Sequence, residues 1–493
     1  MSQTCVMVIL HNRQLTTDFF ALIFSMDIST YPGYRDFVWA VELNRYGLEF
    51  VGLWPTIDKA AKHSYISNLR AYISFIIITF VCVIPLICSL IRVLNDIILV
   101  IDNLQFTLPI MVVLFKFIIM RWKQTALLSI LNMMANDWIA IKIDTQRDVM
   151  LKWARTARFI VICGYTMIGC AAIIAILFPY FGVPFRRLSN LTDSDKPLPI
   201  QGYYFYDTDL SPQFELTFIS QAIMIILAAV IYTSVDALLG LVILHTCGQL
   251  ENFKYHLASM AASDNFDSAL RNSVIIHIRL IRFSNKIEDM FALMLLGLVV
   301  YFAIVFCLYG FLLLSVMTDE QISDVPLSRI CYMIVTITIF LAHTFLYCGA
   351  GELMTEHTKI IQIGIYINNH SCLELNYKIP VLYVCTCQCD AIYEAICDLD
   401  WYKLNSRRER NLMLLMIRAS EPFRITAGKV VPLTMTTFCS RFLFFVMIVL
   451  NLWVTIKSDC TGCVSRKKNV NEICKDSKNL MDKGRSYVRD VNL

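Results

Sequence analysis

Charge is what this sequence has least of for its length. Of 493 residues, 17% are Asp, Glu, Lys or Arg and 57% are hydrophobic. That balance is too apolar for a water-soluble chain of this size and places it in a membrane. The net charge of +4 is modest, and nothing in its distribution makes a nucleic-acid surface. A cleavable signal is missing too. The apolar patch from Cys5 to Leu10 has no basic residue before it and no small-residue cleavage site after it, so a first membrane span must target the chain. No internal repeat of roughly 20 to 50 residues is evident. Cys385-x-Cys387-x-Cys389 and Cys460-x-x-Cys463 resemble fragments of metal sites, but neither has a second pair at finger spacing. Reduced thiols are expected there, with no metal and no cofactor.

What is present is apolar sequence in long runs. Span one, Ala71 to Ile91, carries no charge between Arg70 and Arg92 and exceeds the roughly 20 residues that cross about 30 Å of hydrocarbon. Span two, Asn103 to Met120, contains Lys116, expected to snorkel to the nearer interface. Span three runs from Phe159 to Phe185. Span four, Phe214 to Val242, contains Asp236. Span five is Met290 to Val316, span six Ile330 to Ala350, and a last apolar run, Val430 to Ile456, makes seven. Cys82, Cys88, Cys163, Cys170, Cys307, Cys331 and Cys348 lie inside such runs and read as small packing residues.

Basic residues set the orientation. Segments 121–158, 246–288 and 351–429 hold seven, five and nine Lys+Arg, against one, three and one in 92–102, 186–216 and 318–329. The positive-inside rule therefore puts the amino terminus in the cytosol. Seven spans from that start end outside, opposite to a G-protein-coupled receptor, and the last span has no Asn-Pro-x-x-Tyr run. The segmentation is then 1–70 amino-terminal and cytosolic, 71–350 spans one to six, 351–429 cytosolic, 430–456 the last span and 457–493 a polar tail.

Asp236 and Lys116 are costly inside a span, about 2.5–3.5 kcal/mol each on insertion scales, and such residues face protein or water. An acid–base pair of Asp236 with His245 is excluded by spacing, since nine residues on a helix put them about 13 Å apart on different faces. No catalytic residue is found. His245 and Gln249, four apart on one face, are expected to hydrogen-bond within the cytosolic bundle.

The most specific stretch is WYKLNSRRERNLMLLMIRASEPFRITAGKVVPLTMTTFCS, residues 401–440. Ser406 and Glu409 have capping-box spacing, so a helix starts there. Leu412, Leu415 and Met416 form its apolar face, Arg407, Arg408 and Arg410 its wet one, and Pro422 ends it. By composition alone this is a surface helix before a membrane anchor. The order of residues goes further: W-Y-x-L, the basic amphipathic helix, M-I-R-A-S-E-P, then I-T-A-G-K-x-x-P-L-x-x-x-T-F resembles the carboxy-terminal signature of the insect odorant receptors. His245-x-x-x-Gln249-Leu250-Glu251, Tyr347-Cys348 with Gly351-Glu352, and Gly52-Leu53-Trp54-Pro55 before span one resemble the same family, over roughly residues 27 to 440.

That resemblance implies an all-α membrane protein with seven transmembrane helices in inverted topology and a cytosolic helical anchor. It also implies a ligand-gated cation channel of the plasma membrane. This chain would be the odorant-binding subunit of a hetero-tetramer with a shared co-receptor, in contact with membrane lipid. A gustatory receptor of the same superfamily is the near alternative, a G-protein-coupled receptor the distant one. Mapping the family's odorant cavity by depth gives Phe106 and Ile110 in span two, Ala175 and Phe178 in span three, Phe218 and Gln221 in span four, and Tyr332 and Thr336 in span six. The anchor would use His245, Gln249, Trp401, Leu412, Leu415 and Met416, the alternative for the 405–418 helix being a place flat on the inner leaflet. Val446, Val449 and Leu450 are nearest to the pore gate.

The sequence leaves the family pattern at three places. Residues 1–25 precede it, with Met26 a plausible start. About 25 to 30 residues, roughly Gln362 to Gln388, stand where the family has a short link and read as an untranslated segment, a real insertion being the alternative. After Ser440 the pattern is lost, and the tail from residue 457 carries nine Lys+Arg on what would be the outer side, against the positive-inside rule; a wrong or alternative last exon is the reading. The topology makes a direct prediction. Asn190-Leu191-Thr192 lies outside and is glycosylated, whereas Asn369-His370-Ser371 lies inside and is not. Glycosidase-shift mapping with Asn190→Gln and Asn369→Gln tests this, and modification at Asn369 alone would invert the topology.

Overall fold

The computed structural model describes residues 32–55, 61–95, 97–141, 143–181, 198–261, 265–318, 337–341, 343–349 and 425–432. The chain divides into two compact units, one of Met1–Tyr301 with Thr344–Met435 and one of Phe302–His343 with Thr436–Leu493. In the first unit α1 (Pro32–Phe50) opens with proline at its first helical position, where the missing N–H costs nothing. Its buried residues Phe37, Ala40, Val41, Asn44 and Leu48 recur at helical spacing, and this face packs on α5 (Gln124–Ala140), α6 (Asp144–Tyr180) and α7 (Gln213–Ala261).

Charge fixes α1 in place as well. Arg147 of α6 forks onto Asp36, Nε to Oδ2 at 2.6 Å and Nη2 to Oδ1 at 3.1 Å. Arg158 reaches Glu42 at 3.3 Å and the Trp39 carbonyl, and lies 4.5 Å over the Trp39 ring. Two of the arginines that set the predicted orientation thus also clamp the amino-terminal helix.

The Gly-x-Trp-Pro motif is the stop of α1. Gly52 adopts φ +75°, its N–H bonds to the Glu49 carbonyl at 3.2 Å, and the Leu53 N–H reaches Leu48 at 2.7 Å. Those two bonds are a Schellman cap, which satisfies carbonyls that the helix leaves open. Val51 and Leu53 are fully buried beside it. A Cβ on residue 52 would lie 2.4 Å from the Ser67 carbonyl oxygen and 2.5 Å from the Ala71 nitrogen, both backbone atoms that cannot give way.

Among the described residues, five helical segments are long and apolar enough to cross a membrane: Tyr65–Arg92, Leu99–Trp122, Asp144–Tyr180, Gln213–Leu257 and Phe266–Phe311. They correspond to spans one to five. Span one is α2 (Ala61–Ile76), a π-helical stretch (Ile77–Val83) and α3 (Ile84–Arg92). Span two is α4 (Ile97–Trp122), and spans four and five are α7 and α8 (Phe266–Thr318). At 1.5 Å per residue the 49 residues of α7 and the 53 of α8 reach about 74 and 80 Å, more than twice the hydrocarbon thickness. Of span six, 337–341 and 343–349 are described and are helical. In the second unit the Phe340 ring meets Phe302 at 6.5 Å and Tyr309 at 5.9 Å.

One boundary needs correction. The last span does not begin at Val430, because Thr426–Ala427 (β1) pairs antiparallel with Val431–Pro432 (β2). Residues 428–430 connect the Ala427–Val431 pair; within them Gly428 at φ +63° and Lys429 at φ +61° are the two left-handed residues of a turn closed by the Val430 N–H on the Ala427 carbonyl at 3.2 Å. The I-T-A-G-K-x-x-P motif is therefore a hairpin, and it docks on α8. The Gly428 N–H bonds the Ala292 carbonyl at 2.8 Å, Thr426 donates to Glu288, and Lys429 Nζ meets Asp289 at 2.5 Å. The Asp289 carboxylate raises the Lys429 amine above its ordinary value.

Gly52→Ala is expected to destabilise the protein by about 1–3 kcal/mol through backbone strain alone, with more from the collision with residues 67 and 71. Thermal unfolding of the detergent-solubilised protein measures it. A change below about 0.5 kcal/mol, the size of an ordinary surface substitution, would remove the cap from this account.

Candidate functional site

Three groups of residues bear on function, and they follow one another down α7. The middle one is a charge cluster within the spans. Lys116 of α4 is fully buried, with Nζ 2.5 Å from Asp236 Oδ1 and 3.0 Å from the Tyr347 hydroxyl, and 3.5 Å above the Tyr232 ring. Its ammonium thus has a carboxylate, a hydroxyl and an aromatic face as partners. Tyr347 also meets the side chains of Asp236 and Tyr232. The expectation that Lys116 snorkels is overturned. A carboxylate and a π face lie closer than any headgroup, and in hydrocarbon a paired charge costs far less than a lone one.

The second group is at the amino-terminal end of α7. Residues 198–206 form a strap seated between spans one and four. Gln221 of α7, fully buried, accepts the Ile200 N–H at 2.9 Å and donates to the Ile200 carbonyl and the Tyr204 hydroxyl, both at 2.7 Å. Tyr204 in turn donates to the Val81 carbonyl at 2.9 Å. The cause of that last bond is four residues on, since Pro85 has no N–H to give Val81 in an α-helical register. A freed carbonyl in a membrane must find another donor. The Tyr203 N–H bonds the Pro85 carbonyl at 3.0 Å, and Arg92 stacks 3.4 Å over the Tyr203 ring.

Of the residues mapped as odorant contacts, Gln221 is thus committed to the strap and would have to exchange a bond to hold a ligand. Phe218 packs its ring 6.0 Å from Phe214 and 6.2 Å from Tyr180. Phe106, Ile110 and Ala175 are half-buried, and Phe178 is 44% exposed. Tyr332 and Thr336 lie outside the described residues, as do Asn190, Trp401, Leu412, Leu415, Met416 and the gate positions Val446, Val449 and Leu450.

The third group is in the carboxy-terminal part of α7. His245, buried, has Nε2 3.1 Å from Asp137 of α5, whose other oxygen takes Arg279 of α8 at 2.5 Å. The Phe283 ring stands edge-on to the imidazole at 5.7 Å. Gln249 reaches the Met150 sulfur at 3.6 Å, and Glu251 accepts the Trp153 indole N–H at 2.8 Å. The H-x-x-x-Q-L-E motif is therefore the set of bonds tying α7 to α5, α6 and α8. Asp236 and His245 turn to different partners.

A family model described as 7tm odorant receptor matches residues 96–386, more than half of the chain. The chain belongs to this family. It is a receptor family rather than one of enzymes. Odorant receptor 13a of Drosophila melanogaster is 23% identical over 287 residues, 55% of this chain, and the match spans about 60% of that receptor's length. The fold is likewise that of an insect olfactory receptor. The structure of OR5 from Machilis hrabei in complex with eugenol superposes with a TM-score of 0.61 at 13% identity, over 84% of this chain and 98% of that one. A second structure of OR5 gives 0.59 at 14%, over 85% and 97%. This odorant receptor is thus a multi-pass, mostly helical membrane protein with the seven-helix receptor fold.

Sequence reasoning flagged Lys116 and Asp236 but missed Tyr232, although it stands four residues before Asp236 on one helical face. It also missed Tyr204, whose signal was Pro85 inside an apolar span. In this odorant receptor Lys116→Met alone should cost about 3–5 kcal/mol by leaving a buried carboxylate unpaired, and Lys116→Met/Asp236→Leu should recover most of it. A double-mutant cycle of thermal unfolding checks the pair; strictly additive losses would mean that it is not coupled.

Proposed function

We propose that the chain is the odorant-binding subunit of a ligand-gated cation channel in the plasma membrane of sensory neurons, assembled with a shared co-receptor as a hetero-tetramer. The amino terminus is cytosolic and the strap extracellular. The observation that carries this reading is the length of α7 and α8. Odorant receptor family membership gives the class, and two helices reaching far beyond the bilayer, cross-tied at His245, Asp137 and Arg279, supply an inner surface on which subunits can meet. His245 and Gln249 buttress that anchor, with Trp401, Leu412, Leu415 and Met416 at its interface. Val446, Val449 and Leu450 stand at the gate of the pore.

Odorant binds among the outer halves of spans two, three, four and six, against Phe106, Ile110, Ala175, Phe178, Phe218, Tyr332 and Thr336, with Gln221 at the strap side. A mostly apolar wall suits small volatile molecules, because apolar burial supplies affinity and one or two polar groups set orientation. That OR5 was solved with eugenol supports a ligand of this size. Ligand then shifts a closed-to-open equilibrium by its preference for the open state.

Odorant-evoked cation current that appears only when the chain is expressed with the co-receptor tests the assignment, and current that depends on G-protein signalling would reject it. Within that assay, Phe106→Ala and Phe218→Ala should change the ratio of responses across a panel of volatile alcohols, esters and phenols by about tenfold or more, since each removes a contact worth roughly 1.5–3 kcal/mol. Surface expression should stay unchanged. An unaltered response profile would place the ligand elsewhere.

A further inference from the structure

The buried charge cluster contains two connections of unequal strength. Lys116 and Asp236 join α4 to α7 by opposite charges at 2.5 Å. Tyr347, on the helical turns 343–349, joins both through one neutral hydroxyl. We propose that the Tyr347 hydroxyl is the release point of a latch in gating: spans two and four remain locked by their ion pair, while the turn carrying Tyr347 is held to them at rest and let go on opening. Tyr347 is thus a positioning residue for the channel step, and the proposal rests on the channel reading above.

Three observations converge on this hydroxyl. The first is what remains when it leaves. Lys116 keeps the Asp236 carboxylate and the Tyr232 ring at 3.5 Å, so no charge is stranded in hydrocarbon, whereas separating Lys116 from Asp236 would strand two. Bond strengths therefore fix the order of breakage: the hydroxyl link, charged on one side only, is broken before the ion pair, which is charged on both. The second is position. Asp236 lies on α7 between Gln221, which holds the outer strap, and His245, which holds α5 and α8, so one rigid helix links the ligand end and the anchor end to the latch. The third is enclosure. Lys116 is fully buried, and Tyr347 and Cys348 are 9% and 5% exposed. The turn is therefore closed over the ion pair, and its opening uncovers a thiol.

The test uses the full chain in membranes with the co-receptor, the rate of Cys348 alkylation by N-ethylmaleimide read by mass spectrometry, and the ligand-free cation current. Tyr347→Phe keeps the ring and removes the hydroxyl. It should speed Cys348 labelling about tenfold, the effect of losing a bond to a charged group, and raise ligand-free current, with an unfolding temperature within about 2 °C of wild type. Lys116→Met/Asp236→Leu removes the partners without stranding a charge and should speed labelling likewise, so it decides the matter if Tyr347→Phe does not accumulate. Unchanged labelling in these variants overturns the latch, as does faster labelling with unchanged current. A fall in unfolding temperature as large as that of Lys116→Met also overturns it, because Tyr347 would then be only a structural prop. If the wild-type chain carries no current at all, the channel reading fails, and labelling alone decides whether the turn is latched.

Discussion

A charge inside hydrocarbon has to find its counter-charge within the protein, and that requirement fixes more of this molecule than any apolar contact does. Lys116 and Asp236 stand 120 residues apart on helices that would otherwise pack by apolar surface alone. Two spans offering only aliphatic faces could slide or rotate past one another at small cost, since lipid tails are as apolar as leucine. A 2.5 Å ion pair allows one depth and one rotation. With α4 and α7 keyed in this way, the strap above and the His245 contacts below inherit a fixed height in the membrane.

The same logic runs through the backbone. Pro85 withdraws a donor and Tyr204 replaces it. Gly52 ends α1 with two bonds that cover open carbonyls, and Gly428 and Lys429 turn the chain so that the Gly428 N–H meets Ala292. Two of the short motifs that mark the family in the sequence, Gly-x-Trp-Pro and I-T-A-G-K-x-x-P, are in the structure places where a polar backbone group would otherwise be left without a partner. Their residue types follow from that. A left-handed turn pressed against another backbone admits glycine, and a buried carbonyl admits a hydroxyl.

Spans one to five could be read from the sequence because hydrocarbon demands long apolar runs, and the run lengths alone locate them. The full length of α7 and α8 was not legible from the apolar runs, since the parts of these helices beyond the runs carry ordinary amphipathic sequence. Lys116 was misplaced because a lone lysine in a span looks the same whether it snorkels or is paired, and what separates the two is a residue on another helix. The hairpin at 426–432 was hidden for a local reason. Lysine at positive φ is rare enough that Gly-Lys does not announce a hairpin turn as Asn-Gly does. Of the mapped odorant contacts, Gln221 shows the limit of assignment by depth: its position suits a ligand, but its amide is held by Ile200 and Tyr204.

The π-helical stretch at Ile77–Val83 has a consequence for how such a receptor can vary. A π segment holds a residue more than an α-helix of the same turns would, and each residue inserted or removed rotates everything beyond it by about 100°. Pro85 and Arg92, which seat the strap through Tyr203, lie beyond that point. The angular setting of the carboxy-terminal half of span one is thus stored as a count of residues rather than as their identity. Deletion of one residue in 77–83 would swing both contacts off the strap while leaving the apolar character of the span unchanged. In a lineage, insertions and deletions there would act as a coarse adjustment of the receptor's mouth, with substitutions as the fine one.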